Sequence, residues 1–233
     1  MNAGIIAAGL GERLRAQGIT TPKPLLEIGG RPLIARTIDA LHAAGATRVA
    51  CIVNAETNAV RDYLRDTSWP IRVEVVQRTT ASSAESFLTL RPLLADAPFL
   101  LTTVDTVCDP AALTALVARA HALGPDVSVL GVTTTVDDEK PLWAELDAGG
   151  RIRSLDDPTR AHHVTAGVYF LQPLVYSLAN VGAERAFPAF RKVLGALLDR
   201  GHPLYGFDVG ASIDVDRPED IAAAERLLGV TAP

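Results

Sequence analysis

The 233-residue sequence has only two cysteines, Cys51 and Cys108, each inside an apolar segment. That excludes a disulfide framework, and neither thiol stands at a metal-ligand spacing, so both read as small core residues. Long basic runs are also missing: 22 Lys and Arg stand against 27 Asp and Glu, a net charge of −5. This argues against extended nucleic-acid binding and against adhesion to a membrane surface. No basic segment precedes the first apolar stretch, and that stretch is too short for a signal peptide or a membrane span. A soluble, cytoplasmic protein is expected. The chain shows no internal repeat, low-complexity segment or linker.

What is present suits one domain with one substantial core. Hydrophobic residues make up 48% of the chain, which excludes a disordered polymer. Apolar strand-like runs at 3–8, 48–53, 71–76, 99–104 and 127–132 alternate with helical patterns at 32–44, 55–65, 83–94 and 110–122. Pro32 and Pro110 suit first helical positions, and Gly45 and Gly124 suit helix stops. Ser82 and Glu85 form a capping box for the third helix, and Asp109 caps the fourth. Such alternation predicts an α/β fold, a Rossmann-like and mostly parallel sheet with helices on both faces. The second half changes rhythm. Runs at 142–146, 151–155 and 164–171, the first two joined across Gly149-Gly150, read as antiparallel or mixed strands. Helices at 173–178 and 188–200, a strand at 204–209 and a helix opening at Pro218 complete the chain.

The most informative stretch follows the first strand. Gly9 and Gly11 allow backbone amides to approach a ligand closely, and Arg13 and Lys23 add positive charge on an acidic background. Pro22 and Pro24 restrict the backbone around Lys23. In a parallel sheet ligands bind beyond the carboxyl ends of the strands, where this loop falls. A glycine pair followed by an arginine is by itself weak evidence, and a solvated surface loop is the plainer reading. The third glycine of a dinucleotide fingerprint is missing, and so is the Lys-Ser/Thr pair of a Walker loop.

The complete string is more specific. Ala7-Ala8-Gly9-Leu10-Gly11-Glu12-Arg13-Leu14, followed by Thr21-Pro22-Lys23-Pro24-Leu25-Leu26, resembles the signature of the nucleotidyltransferases that make NDP-sugars and NDP-alcohols. The resemblance extends more weakly over nearly the whole chain. It implies a GT-A-like fold and an NTP cradle formed by Ala7, Ala8, Gly9, Gly11, Glu12, Arg13 and Lys23. Arg13 and Lys23 would be the catalytic cations. It further implies one domain, with 1–135 mainly holding the NTP, 136–210 mainly the acceptor, and 211–233 supplying a second metal segment and a C-terminal helix.

Phosphoryl chemistry needs a divalent cation held by carboxylates, and the resemblance implies Mg²⁺. Asp105 follows an apolar strand and matches the first metal ligand of such enzymes. In "SIDVDRPED" both Asp214 and Asp216 could be the second, and Asp214 fits the family pattern slightly better. Glu219 and Asp220 suit a helix N-terminus. The resemblance places Gln77, Ser82 and Ser83 near the base, where a helix cap explains the serines equally well; Ser86 would match a serine of phosphocholine-type cytidylyltransferases. On the acceptor side, sugar-1-phosphate enzymes carry Glu-Lys-Pro after a Gly-Arg-Ile strand, whereas this chain has Asp156-Asp157-Pro158. Thr165, Ala166 and Gly167 match the next family strand, and the resemblance implies that, with Asp156 and Asp157, Thr165 and Gly167 bind the acceptor. His162 and His163 are adjacent, so they diverge and make a poor joint metal site. Lys140 reads as a solvated loop cation.

The expected activity is transfer of a nucleoside monophosphate from an NTP to a phosphorylated small molecule such as a sugar-1-phosphate, releasing pyrophosphate. Its alternatives are a cytidylyltransferase for a phospho-alcohol or phosphonate and, from another class, a non-catalytic nucleotide-binding sensor. A molybdopterin-type transferase ranks lower, because its first loop is shorter before the lysine. The partners are small molecules, with no nucleic acid and no membrane, and a homo-oligomer is compatible with all of this.

Overall fold

The computed structural model describes residues 1–136, 140–179 and 187–230. Along the first half run β1 (Asn2–Ala7), β2 (Glu27–Ile28), β3 (Arg31–Pro32), β4 (Arg48–Val53), β5 (Arg72–Gln77), β6 (Phe99–Thr103) and β7 (Thr106–Cys108). The second half contributes β8 (Ser128–Thr133), β9 (Trp143–Leu146), β10 (Ile152–Leu155), β11 (His163–Leu171), β12 (Leu204–Asp208) and β13 (Ser212–Asp214). The helices are α1 (Glu12–Ala16), α2 (Leu33–Ala43), α3 (Asn58–Asp66), α4 (Ser83–Thr89) and α5 (Arg91–Leu94). After them come α6 (Pro110–Leu123), α7 (Leu174–Ala179), α8 (Phe190–Asp199) and α9 (Pro218–Leu228).

Among the described residues one nine-stranded sheet organises the molecule, in the order β10-β9-β11-β6-β1-β4-β5, with β8 joined to β11 and β12 to β8. β6, β1, β4 and β5 are parallel neighbours. β11 runs antiparallel to β6, β8 and β9. The sheet is therefore mixed, with its parallel half built from the first half of the chain, as expected.

Strand alternation builds two cores. Ile5 and Ala7 of β1, with Val49, Cys51 and Val53 of β4, face one side, where α2, α3 and α6 pack. Ile6, Ala50 and Ile52 face the other, against α4, α5, α7 and α8. There Phe87 stacks on Tyr176 with ring centroids 4.3 Å apart. Cys51 and Cys108 are free and buried, as core residues should be.

Local signals hold in detail. The Ser82 hydroxyl accepts from the Glu85 amide at 3.1 Å, while the Glu85 carboxylate turns back to the Ala81 amide at 2.8 Å. Asp109 caps α6 by accepting from the Ala111 amide at 2.9 Å. The helix expected over 83–94 is instead two, α4 and α5. Pro92 explains the break, since its ring has no N–H to donate and clashes with the carbonyl four residues back.

Two features position the site. The pair β7–β13 sets Asp214 opposite Thr106, and the Val215 amide donates to the Asp105 carbonyl at 3.0 Å, so the late carboxylate segment lies beside the end of β6. On β11, Gly167 has φ +68°, and a Cβ there would meet the Thr106 hydroxyl at 2.0 Å. We predict that Gly167→Ala lowers stability by about 2 kcal/mol or more through this clash and the left-handed backbone. Denaturant titration measures it, and an unchanged midpoint would contradict the packing described.

Candidate active site

The carboxyl ends of the four parallel strands open into one cleft of about 540 Å³, within the size range of small-molecule sites. β1 delivers residues 8–13, β4 delivers Asn54, the turn after β5 delivers 79–83, and β6 delivers Val104 and Asp105. Ile6, Ser86, Thr103, Lys23 and Asp216 complete the lining.

At its centre is a charge cluster. The Lys23 ammonium donates to Asp105 Oδ2 at 2.6 Å and to Asp216 Oδ1 at 2.5 Å. Arg13 donates to the other oxygen of Asp216 at 2.7 Å. Lys23 is only 7% exposed, whereas Arg13 and Asp216 stand at the cleft mouth. Burial alone would depress the Lys23 pKa, but the two carboxylates outweigh it and hold the ammonium above its ordinary value. Burial likewise pushes Asp105 up, and Lys23, helped by hydrogen bonds from Thr103 and the backbone, more than reverses this, leaving the carboxyl below its ordinary range.

Local structure holds these groups in place. Gly11 adopts φ +63°, and a Cβ there would sit 3.4 Å from the Lys23 Cβ, so the glycine turn lies directly against the lysine stem. Residues 23–25 form one 3₁₀ turn, closed by the Leu26 amide on the Lys23 carbonyl at 3.1 Å. Asp216 is oriented by Asp220, whose Oδ2 accepts from the Asp216 and Arg217 amides at 2.9 and 2.7 Å. The helix-entry role expected of Asp220 thus extends to positioning the site.

The other predicted residues divide clearly. Ala8, Gly9, Gly11, Glu12, Ser82 and Ser83 line the cleft. Ala7 lies beneath it in the core. Asp214 does not line it; its Oδ1 accepts from the Thr106 hydroxyl at 2.9 Å. Gln77 also turns away, donating to the Ala55 carbonyl and to Asn58 and accepting from Arg61. Asp157 accepts from the amide and hydroxyl of Thr159, which makes it a turn-forming residue. Thr165 sits in β11 paired with β8. Asp156 has φ +73° and pairs with Lys192 of α8 at 3.0 Å.

Asn54 and Lys192 were not anticipated. Asn54 is buried and donates to the Ala8 carbonyl at 3.1 Å while its oxygen accepts from the Glu56 amide and the Thr79 hydroxyl. It thereby ties the glycine loop to the turn after β5. Its place directly after a parallel strand was the available signal. For Lys192 no local signal existed, because its partner lies 36 positions away on another element.

Hard oxygen ligands are the natural partners of Mg²⁺, and Asp105 with Asp216 offers two carboxylates on adjoining segments. Among the described residues no group of three His, Cys, Asp or Glu side chains forms a metal-binding set, so further ligands would have to come from substrate phosphates and water. Among the described residues, too, no helix is long and apolar enough to cross a membrane.

A mannose-1-phosphate guanyltransferase of Candida albicans is 29% identical over 93% of this chain, and one of Emericella nidulans is 28% identical over 94%. The chain spans only 61% and 62% of those two relatives. The fold matches the inositol-1-phosphate CTP transferase of T. maritima with a TM-score of 0.81 and 23% identity, covering 99% of this chain and 98% of that one. A UDP-glucose pyrophosphorylase complexed with UDP-glucose matches equally well, at 0.81 and 19% identity over 97% of both chains. The family model described as the MobA-like NTP transferase domain matches residues 3–203, and the chain belongs to that family of nucleotidyltransferases.

Proposed function

We propose that the protein transfers a nucleoside monophosphate from an NTP to a sugar-1-phosphate, releasing pyrophosphate. The observation that carries this reading is the cluster of Lys23, Arg13, Asp105 and Asp216 beside the glycine turn. An acceptor phosphate oxygen attacks the α-phosphorus of the NTP; the new P–O bond forms as the bond to the β-phosphate oxygen breaks. The acceptor phosphate is already a nucleophile, so no covalent enzyme intermediate is needed. The amides of the Gly9–Gly11 turn and the Arg13 fork bind and orient the triphosphate. Lys23 stabilises the negative charge that develops on the transferring group. Asp105 and Asp216 would hold Mg²⁺, whose chemistry when bound is to offset the charge of the triphosphate. Asp216 is favoured over Asp214, because Asp216 shares Lys23 with Asp105 whereas Asp214 is engaged with Thr106.

The Asp156–Lys192 pair supports one acceptor class over another, on the reading that this turn faces the acceptor. Two carboxylates in the 156–158 turn would favour a cationic acceptor if both were free, but Asp157 is occupied by Thr159 and Asp156 by Lys192. A carboxylate beside an ammonium offers an acceptor and a donor to sugar hydroxyls. This supports a sugar-1-phosphate over an amino-alcohol phosphate. The names of the curated relatives point the same way, and make GTP the first nucleotide to test. On this reading 136–210 forms the acceptor half and the protein acts in the cytoplasm.

The direct test is pyrophosphate release across the common NTPs with a panel of sugar-1-phosphates, phospho-alcohols and phosphonates. Release that depends on a sugar-1-phosphate is expected; turnover with a phospho-alcohol or phosphonate alone would overturn the acceptor assignment. We predict that Lys23→Ala lowers kcat on the order of a hundredfold, as removal of other transition-state donors does. Near-normal turnover would remove Lys23 from the chemistry. We also predict that Lys192→Ala raises the acceptor KM about tenfold, the loss of one charge-assisted hydrogen bond, with the NTP KM unchanged. An effect confined to the NTP would contradict the role given to α8.

A further inference from the structure

We infer that Lys23 is the resident counter-ion of the divalent-cation site, holding Asp105 and Asp216 in the ligand-free protein and releasing them only when a triphosphate takes its ammonium. The inference rests on the metal-site reading above and adds a coupling between the two ligands. Two carboxylates from segments over a hundred residues apart converge on one nitrogen at 2.6 and 2.5 Å. Two ionised carboxylates converge only with a cation between them; otherwise one takes a proton. Here that cation is a side chain, Lys23.

The surroundings confine any exchange to the end of this side chain. The Lys23 backbone is fixed by flanking prolines and a 3₁₀ turn, and its stem lies against Gly11. The four-carbon stem can redirect its ammonium without backbone movement. A divalent cation arriving alone would have to displace a buried ammonium into a cleft that already holds Arg13. A triphosphate arriving alone would draw off Lys23 and Arg13, leaving Asp105 and Asp216 uncompensated beside its own charge. When both arrive, every partner is replaced at once: the ammonium and guanidinium turn to phosphate oxygens and the cation takes the carboxylates. Each ligand therefore favours the other by the same factor, beyond their affinity for each other in solution.

Lys23→Met keeps the length of the stem and removes its charge. Mn²⁺ binding without nucleotide, followed by the electron paramagnetic resonance of free Mn²⁺, should be about tenfold tighter or more in this variant than in the wild type, a typical coupling factor. A second arm uses Asp216→Asn and inorganic tripolyphosphate in excess EDTA, by calorimetry. Removing one carboxylate should tighten this metal-free binding, although the same variant loses Mn²⁺-assisted tripolyphosphate binding. Equal or weaker Mn²⁺ binding by Lys23→Met, or weaker metal-free tripolyphosphate binding by Asp216→Asn, would overturn the counter-ion role. If Lys23→Met does not fold, the second arm decides alone. The metal site fails separately, and the inference with it, if Asp216→Asn binds Mn²⁺ and tripolyphosphate together as the wild type does.

Discussion

A buried ammonium can persist beside an open cleft only if it is paired, and Lys23 is paired twice, with carboxylates 82 and 193 positions away in the chain. Much of the architecture serves that requirement. Parallel pairing of β1 with β6 brings the end of the first strand, and the turn that carries Lys23, to the level of Asp105. The short β7–β13 pair returns the late segment to the same place. Asp220 then fixes the backbone of Asp216 from the start of α9. Without these contacts the buried Lys23 ammonium would lose a partner in a poorly solvated position.

The same arithmetic of charge describes ligand binding. In the cleft Arg13 and Lys23 balance Asp105 and Asp216. On the proposed function a triphosphate would add several negative charges and a divalent cation two positive ones, so the balanced cluster would be rearranged rather than simply expanded. A second, smaller balance is the pair Asp156–Lys192, both near the surface and only modestly stabilising by themselves. On the proposed function its use would be to offer both polarities to a hydroxyl-rich acceptor. The antiparallel strand β11 joins the two regions, and Gly167 lets it pass close to Thr106, which in turn holds Asp214.

Much of this could be read in advance, for local reasons. Burial of β1 and β4 on both faces, the caps at Ser82 and Asp109, and the glycine turn with its cations all depend on neighbours in sequence. What escaped depends on distant partners. Asp214 and Asp216 are indistinguishable by type and spacing; a three-residue antiparallel pair determines that the first meets Thr106 and the second Lys23. Gln77 has the right strand end for a base contact, yet the Ala55 carbonyl and, on α3, Asn58 and Arg61 capture its amide. Lys192 sits in an ordinary amphipathic helix, and only the packing of α8 against β10 gives it a partner. Apolar periodicity runs on through 83–94, but Pro92 divides the stretch into two helices.

The central claim is that the Lys23–Asp105–Asp216 cluster is where nucleotidyl transfer occurs. It is tested most directly by a crystal structure with Mg²⁺ and a non-hydrolysable NTP analogue. The account predicts the triphosphate against the Gly9–Gly11 amides, Lys23 on phosphate oxygens, and the ion on Asp105 and Asp216. A nucleotide bound elsewhere, with Lys23 still bridging both carboxylates, would contradict it.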